Sequence, residues 1–203
     1  SIDSGDSFGW SLSGDSIYLA IGSLQTINNG GGEVSIFENN GTNWNFSQTL
    51  FAVDENNQSG DEFGYDLKVD NSRLIVGAPK VDANGTNSGS AYIYERNSTG
   101  WYQTAILSPS GPSAGDEFGY AVALSGNLAF VGARQKDGNA IDAGVVYVFH
   151  FDGVTWTEVY QIYPPTDMAN QYFSSDLEVH DDILAVSSPR IGEGSIYIYR
   201  FEN

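Results

Sequence analysis

The 203-residue sequence contains no cysteine, which excludes disulfides, thiolate chemistry and cysteine-based zinc sites. Export is not excluded with them, because a large repetitive core needs no covalent staple. Basic residues are scarce too: 8 Lys and Arg face 26 Asp and Glu, a formal charge of -18. A surface of that sign repels phosphate backbones and anionic lipid, so neither nucleic acid nor a membrane surface is an expected partner. The same acidity suits plain solubility, life in salty water, or capture of a cation by clustered carboxylates. There is no run of 18 apolar residues and no basic stretch followed by an apolar one at the start. Direct membrane insertion is therefore not expected, and any signal or anchor is expected to lie outside these 203 residues. Histidine occurs twice, as His150 and His180, and neither has the surroundings of a triad or a metallohydrolase. Carboxylate pairs such as Asp54-Glu55 and Asp61-Glu62 follow from composition alone. No catalytic or cofactor-binding residue is assigned, and no enzyme activity is expected. Finally, no segment repeats its apolar residues every 3.6 positions, so almost no helix is expected.

An internal repeat fills the chain. Gly5-Asp6-Ser7-Phe8-Gly9 returns 55 residues later as Gly60-Asp61-Glu62-Phe63-Gly64, then as Gly115-Asp116-Glu117-Phe118-Gly119, and in eroded form as Asn170-Gln171-Tyr172-Phe173-Ser174. Thirteen residues after each Phe stands a second landmark: Ile21-Gly22-Ser23-Leu24, Val76-Gly77-Ala78-Pro79, Val131-Gly132-Ala133-Arg134 and Val186-Ser187-Ser188-Pro189. Two landmarks with one period define four units, spanning about 5–59, 60–114, 115–169 and 170–203. With 40% hydrophobic and 17% charged residues, the units form a folded domain or propeller segment over 1–203.

Each unit reads as four strands. Phe63, Tyr65, Leu67 and Val69 alternate with Gly64, Asp66 and Lys68, as Phe118, Tyr120, Val122 and Leu124 do one unit on, which predicts a half-buried strand A. A short Gly, Asn or Asp turn leads to strand B, the apolar runs Ile17 to Ile21, Leu74 to Val76, Leu128 to Val131 and Ile183 to Val186. A longer loop precedes strand C at Val34 to Phe37, Ala91 to Tyr94, Val145 to Phe149 and Ile196 to Tyr199. Seven residues past the last aromatic of C, Trp44, Trp101 and Trp156 open strand D. Four short antiparallel strands in about 50 residues are the arithmetic of a propeller blade. The fourth unit stops after strand C, so its outer strand is missing. That leaves two architectures: a four-bladed ring with a three-stranded last blade, or blades within a longer propeller or an assembly whose neighbouring chain covers the open edge. The apolar edge Ile196 to Tyr199 favours the second.

The two landmarks, Phe63-Gly64 opening strand A and Gly77-Ala78-Pro79 closing strand B, resemble the FG-GAP repeat of integrin α subunits and of bacterial surface proteins. The resemblance covers essentially the whole chain. It implies an all-β propeller displayed outside the cell or on its surface and used for adhesion or ligand binding. Integrin-type repeats hold a calcium loop between strands A and B, whereas here that place holds only turns such as Asp70-Asn71-Ser72. The chain is thus closer to the short bacterial form.

Up-and-down strands put the long B–C and D–A loops at one end of the blades, and such loops on a rigid scaffold are the expected interaction surface. Asp82, Asn84 and Asn87 in the second B–C loop, and Asp137, Asn139 and Asp142 in the third, have the oxygen groups and spacing to wrap Ca2+. Turn formation explains the same residues, since Asn84-Gly85 and Asp137-Gly138 are turn dipeptides. Lys80, Arg134, Lys136 and Arg190 lie in these loops. Asp6, Asp61 and Asp116 precede strand A, where a carboxylate can accept backbone N–H groups. Two functions fit: an adhesion or protein-interaction module using the long-loop end, or a lectin-like propeller taking glycans on Trp, Tyr, Asn and Asp groups. Five sequons, at Asn40, Asn45, Asn57, Asn84 and Asn97, mark glycosylation only in a host that glycosylates them.

Overall fold

The computed structural model describes residues 7–24, 30–53, 60–166, 168–189 and 193–201. Asp6, Asp54, Glu55, Asn57 and Arg190 lie outside them. The described residues contain no helix, and none could therefore cross a membrane as one. Blade 1 is β1 (Phe8–Gly14), β2 (Tyr18–Ser23), β3 (Glu33–Asn39) and β4 (Trp44–Leu50). Blade 2 is β5 (Leu67–Asp70), β6 (Arg73–Ala78), β7 (Ser90–Asn97) and β8 (Gly100–Leu107). Blade 3 is β9 (Phe118–Ser125), β10 (Leu128–Ala133), β11 (Val145–Phe151) and β12 (Trp156–Ile162). Blade 4 has three strands, β13 (Leu177–His180), β14 (Ile183–Ser188) and β15 (Ser195–Arg200). In every sheet the strands lie in chain order and antiparallel. The first strands pack one blade on the next, β1 on β5, β5 on β9 and β9 on β13, so strand A is innermost. This is a β-propeller of four blades.

The turns between first and second strands are as short as the sequence requires. Asn71-Ser72, Gly126-Asn127 and Asp181-Asp182 close blades 2, 3 and 4, each with its first residue at positive φ (56°, 56° and 52°), a conformation that Gly, Asn and Asp reach at least cost. Strand A is shorter than its alternation predicts in blades 2 and 4, where it starts at Leu67 and Leu177. The cause is a bulge: the amides of Gly64 and Tyr65 both donate to Gly77 O, which takes Phe63 and Tyr65 out of the ladder.

The core lies between blades. Ala20, Val34, Ile36 and Leu50 of blade 1 meet Phe63, Leu67, Leu74, Tyr92, Tyr94 and Trp101 of blade 2, and the same pairing recurs from blade 2 to 3 and from 3 to 4. Phe63, Phe118 and Phe173 are completely buried and meet Tyr92, Tyr147 and Tyr197 edge to face at 5.4, 5.4 and 5.6 Å. Each stabilises by about 2–3 kcal/mol through burial, plus the ring geometry. The landmark glycines form the backbone part of the same junction. A Cβ on Gly77 would overlap the carbonyl oxygen of Gly119, the glycine that follows Phe118 in the next blade. Gly119 is at φ +89°, and its own Cβ would overlap Ser90 O. Both motifs therefore carry glycine because the backbones of adjacent blades touch there.

At the two outer blades this junction is half made. Leu12 of β1 is 71% exposed, whereas Leu67 at the same position of blade 2 is 3% exposed. Ile196 of β15 is 72% exposed against 0% for Val146 of blade 3. Among the described residues, no packing comparable to the internal junctions joins blade 4 to blade 1.

Candidate functional site

The residue two places after each landmark Phe leaves the core and points toward the inner rim of the long-loop end. Trp10, Tyr65 and Tyr120 occupy that place in blades 1, 2 and 3. Blade-to-blade spacing brings them into one ladder, with ring centroids 5.5 Å apart for Trp10 and Tyr65 and 4.7 Å for Tyr65 and Tyr120. The guanidinium carbon of Arg134 lies 3.7 Å from the centroid of Tyr120 and closes the row with a cation–π contact. Blade 4 has Ser175 at this place, whose hydroxyl donates to Tyr172 O, and the ladder ends there. Trp10 is half exposed, while burial and a hydrogen bond with Tyr120 push the Tyr65 hydroxyl up from its ordinary range.

A buried ion cluster supports the ladder from below. Glu117, whose side chain is 4% exposed, receives Lys80 Nζ on one carboxylate oxygen and Arg134 Nε on the other, the latter at 2.6 Å. Burial alone would raise the Glu117 carboxyl, but the hydrogen bonds from Lys80 and Arg134 outweigh it and hold the group below the usual carboxylate range. Glu62, one blade earlier, is raised: burial and the Glu117 charge outweigh the attraction of Lys80 and Arg134. Ser7, Glu62, Glu117 and Tyr172, the residues before each landmark Phe, all have positive φ (45°, 59°, 55° and 51°). Each costs roughly 1–3 kcal/mol of backbone strain that the blade junction holds in place. Lys136 Nζ reaches Asp116 Oδ2 at 2.9 Å and Gly111 O at 2.7 Å.

The loop residues expected to hold a cation lie outside this ladder, on the rim. Asp82 Oδ1 accepts the amide of Asn87 at 2.8 Å, and Asp137 Oδ1 accepts that of Asp142 at 3.0 Å, the same bond in two successive blades. Asn87 and Asp142 are left-handed, at φ 54° and 49°. The bonds thus bring Asp82 to Asn87 and Asp137 to Asp142, while Asn84 and Asn139 stay exposed. Among the described residues, no three His, Cys, Asp or Glu side chains converge as a metal site would require. Asp116 Oδ2 accepts the Ser113 amide at 2.7 Å, as expected of a carboxylate ahead of strand A. His150 and His180 are both exposed.

The chain's own alternation gave no sign of the aromatic ladder, although an aromatic two residues after Phe in three repeats was its available signal. Asp66 reads from the same alternation as a polar strand residue. It is half-buried, accepts the amide of Leu67 at 2.9 Å, and reaches across to accept the Val122 amide of the next blade at 2.7 Å. Burial pushes its carboxyl up to about 6 despite those two bonds.

No curated protein matches the chain. The family model of the FG-GAP repeat matches residues 44–94 and 101–149. Each match starts at or beside the Trp that opens an outer strand and ends on the last core aromatic of the next blade's third strand, Tyr94 or Phe149, so the family's unit is the blade shifted by one strand. Propellers built from this repeat are protein-interaction modules in general. With Gly22 and Gly77 meeting the Phe-Gly glycines Gly64 and Gly119 of the following blades, the chain carries FG-GAP repeats across residues 44–149.

Proposed function

We propose that this chain is an extracellular or cell-surface adhesion module that takes a protein partner on the long-loop end, over the Trp10–Tyr65–Tyr120 ladder and the B–C and D–A loops around it. The ladder carries the reading: three aromatic faces in a row, on β1, on the bulge ahead of β5 and on β9, ended by a guanidinium, supply large contact area at little conformational cost. A chain of charge -18 draws a cationic partner surface, and association should slow steeply as salt rises. Ca2+ enters the same reading as a rim ligand of Asp82, Asn84 and Asn87 and of Asp137, Asn139 and Asp142. Calorimetry with Ca2+ at millimolar concentration tests that part alone.

The decisive experiment measures binding of the biotinylated chain to cells, to purified extracellular proteins and to a glycan array. Trp10→Ala, at a half-exposed position, should weaken binding at least tenfold with the far-UV circular dichroism unchanged. Reproducible sugar binding lost in the same variant would replace the protein partner with a glycan, the lectin-like alternative. Binding indifferent to Trp10 refutes both.

A further inference from the structure

Two side-chain bridges tie the outer strand of blade 1 to that of blade 2, and among the described residues only one of them recurs between blades 2 and 3. The recurring bridge is made in blade 2 by Gln103, whose amide donates to Val53 O at 3.0 Å and accepts Val53 N at 2.8 Å. One blade on, Glu158 holds the place of Gln103 and Ser110 that of Val53, and the carboxylate accepts the Ser110 amide at 2.7 Å and its hydroxyl at 2.8 Å. The other bridge is Gln48 of β4. Its amide nitrogen donates to Trp101 O and its amide oxygen accepts Trp101 N, both at 2.9 Å, so a carboxamide closes the cleft between these two blades. The residue at the same place in β8 is Ala105, which is too short to reach across. A cleft of about 490 Å3 stands there instead, walled by Thr104, Ala105 and Ile106 of blade 2 and by Phe151, Thr155 and Trp156 of blade 3. Trp156 pairs with Phe151 as Trp101 pairs with Arg96, so its N–H and C=O face outward from β12 as those of Trp101 face Gln48. Trp101 is 3% exposed, whereas Trp156 is only half-buried.

We propose that this cleft is a carboxamide-binding site, and that its occupant is a glutamine side chain on a loop of a partner protein. Trp156 offers one main-chain donor and one acceptor side by side, which a primary amide matches. A carboxylate cannot donate and an ammonium cannot accept, so neither satisfies both. Ala105, Ile106 and the indole of Trp156 give apolar cover to a two-carbon stem, and the volume leaves room for the main chain that carries it. An acetamido sugar presents the same amide chemistry without that stem. The cleft opens at the short-turn end, beside Gly153 and Val154, away from the aromatic ladder. It is therefore a second contact surface, and its loss leaves binding through Trp10 unchanged.

The test is heteronuclear NMR of the isotope-labelled chain. Propionamide, the glutamine side chain without its backbone, should shift the Trp156 and Ala105 amides saturably with a Kd of about 10–100 mM, the affinity so small a ligand reaches. Gln48→Ala opens the equivalent cleft and should add a second saturable response, at Trp101. Ala105→Gln combined with Thr155→Gly copies the closure between blades 1 and 2, where Gly100 lies against the Gln48 amide, and should remove the response at Trp156. The N-acetylated, C-amidated tripeptide Gly-Gln-Gly should bind the native chain at least about fivefold more tightly than Gly-Met-Gly, a neutral near-isostere without the amide. It should also bind more tightly than N-acetylglucosamine. No saturable shift at about 300 mM propionamide, a response that survives the double variant, equal binding of the Met peptide, or preference for the sugar overturns the proposal.

Discussion

Asp66 makes the stability of the propeller depend on pH in an unusual direction. Its carboxyl titrates near 6 in the folded chain, against an ordinary value of 3.8. Between these values the folded state holds a proton that the unfolded state has released, so stability falls as pH rises. The full displacement amounts to about 3 kcal/mol, of which about 2 kcal/mol is lost between pH 4.5 and 7.5. Asp66→Asn removes the titration. Its single amide oxygen can take only one of the Leu67 and Val122 amides, which leaves a buried donor unsatisfied at about 1–3 kcal/mol. The native chain should therefore exceed the variant most at pH 4.5, and the gap should shrink by about 2 kcal/mol toward pH 7.5. Urea unfolding followed by tryptophan fluorescence across that range gives both curves, and subtracting them cancels every other titrating group. A gap that stays constant or widens with pH would refute the assignment of this titration to Asp66.

Gly77→Ala forces a Cβ into the Gly119 carbonyl and should cost about 3 kcal/mol or more by thermal denaturation. Gly41→Ala, with open space around a positive φ, should cost only about 1–2 kcal/mol. Glu117→Gln should cost about 1–3 kcal/mol at pH 7, since Lys80 and Arg134 are partly solvated and keep some compensation. Because the Glu117 carboxyl is lowered, its contribution is present above pH about 4.5 and lost as pH falls through its folded value, so that acid step should vanish in the variant. Sedimentation of the isolated chain should show concentration-dependent mass above 21.9 kDa that Leu12→Asp or Ile198→Asp abolishes. A monomer at high concentration would mean that four blades suffice on their own.

The architecture was legible because a propeller writes itself twice, once as alternation within a strand and once as a period between blades. Phe63, Phe118 and Phe173 announced the blade fronts, and Trp44, Trp101 and Trp156 the outer strands. Alternation failed where a bulge broke it, at Gly64 and Tyr65, because nothing local says that two consecutive amides will share Gly77 O. The candidate site was less legible for a related reason. Trp10, Tyr65 and Tyr120 are 55 residues apart, and only the distance between neighbouring inner strands decides whether their rings touch. Glu117 likewise draws Lys80 from another blade, a pairing that no spacing rule within one repeat contains.

The same periodicity explains why blades 1 and 4 look imperfect when their sequences do not. Leu12 and Ile196 are apolar because the repeat makes them so: their counterparts Leu67 and Val146 lie at 3% and 0% exposure beneath a neighbouring blade. Strand B behaves alike. In β6 and β10 every residue after the first is buried, whereas in β2 and β14 three of the six residues stay partly or fully exposed, since each has a neighbour on one face only. Blades 2 and 3, covered on both sides, therefore hold most of the stability. The outer faces are each half of a junction already built three times within the chain, and their apolar residues specify what should cover them: the front of a blade against blade 4 and the back of a blade against blade 1.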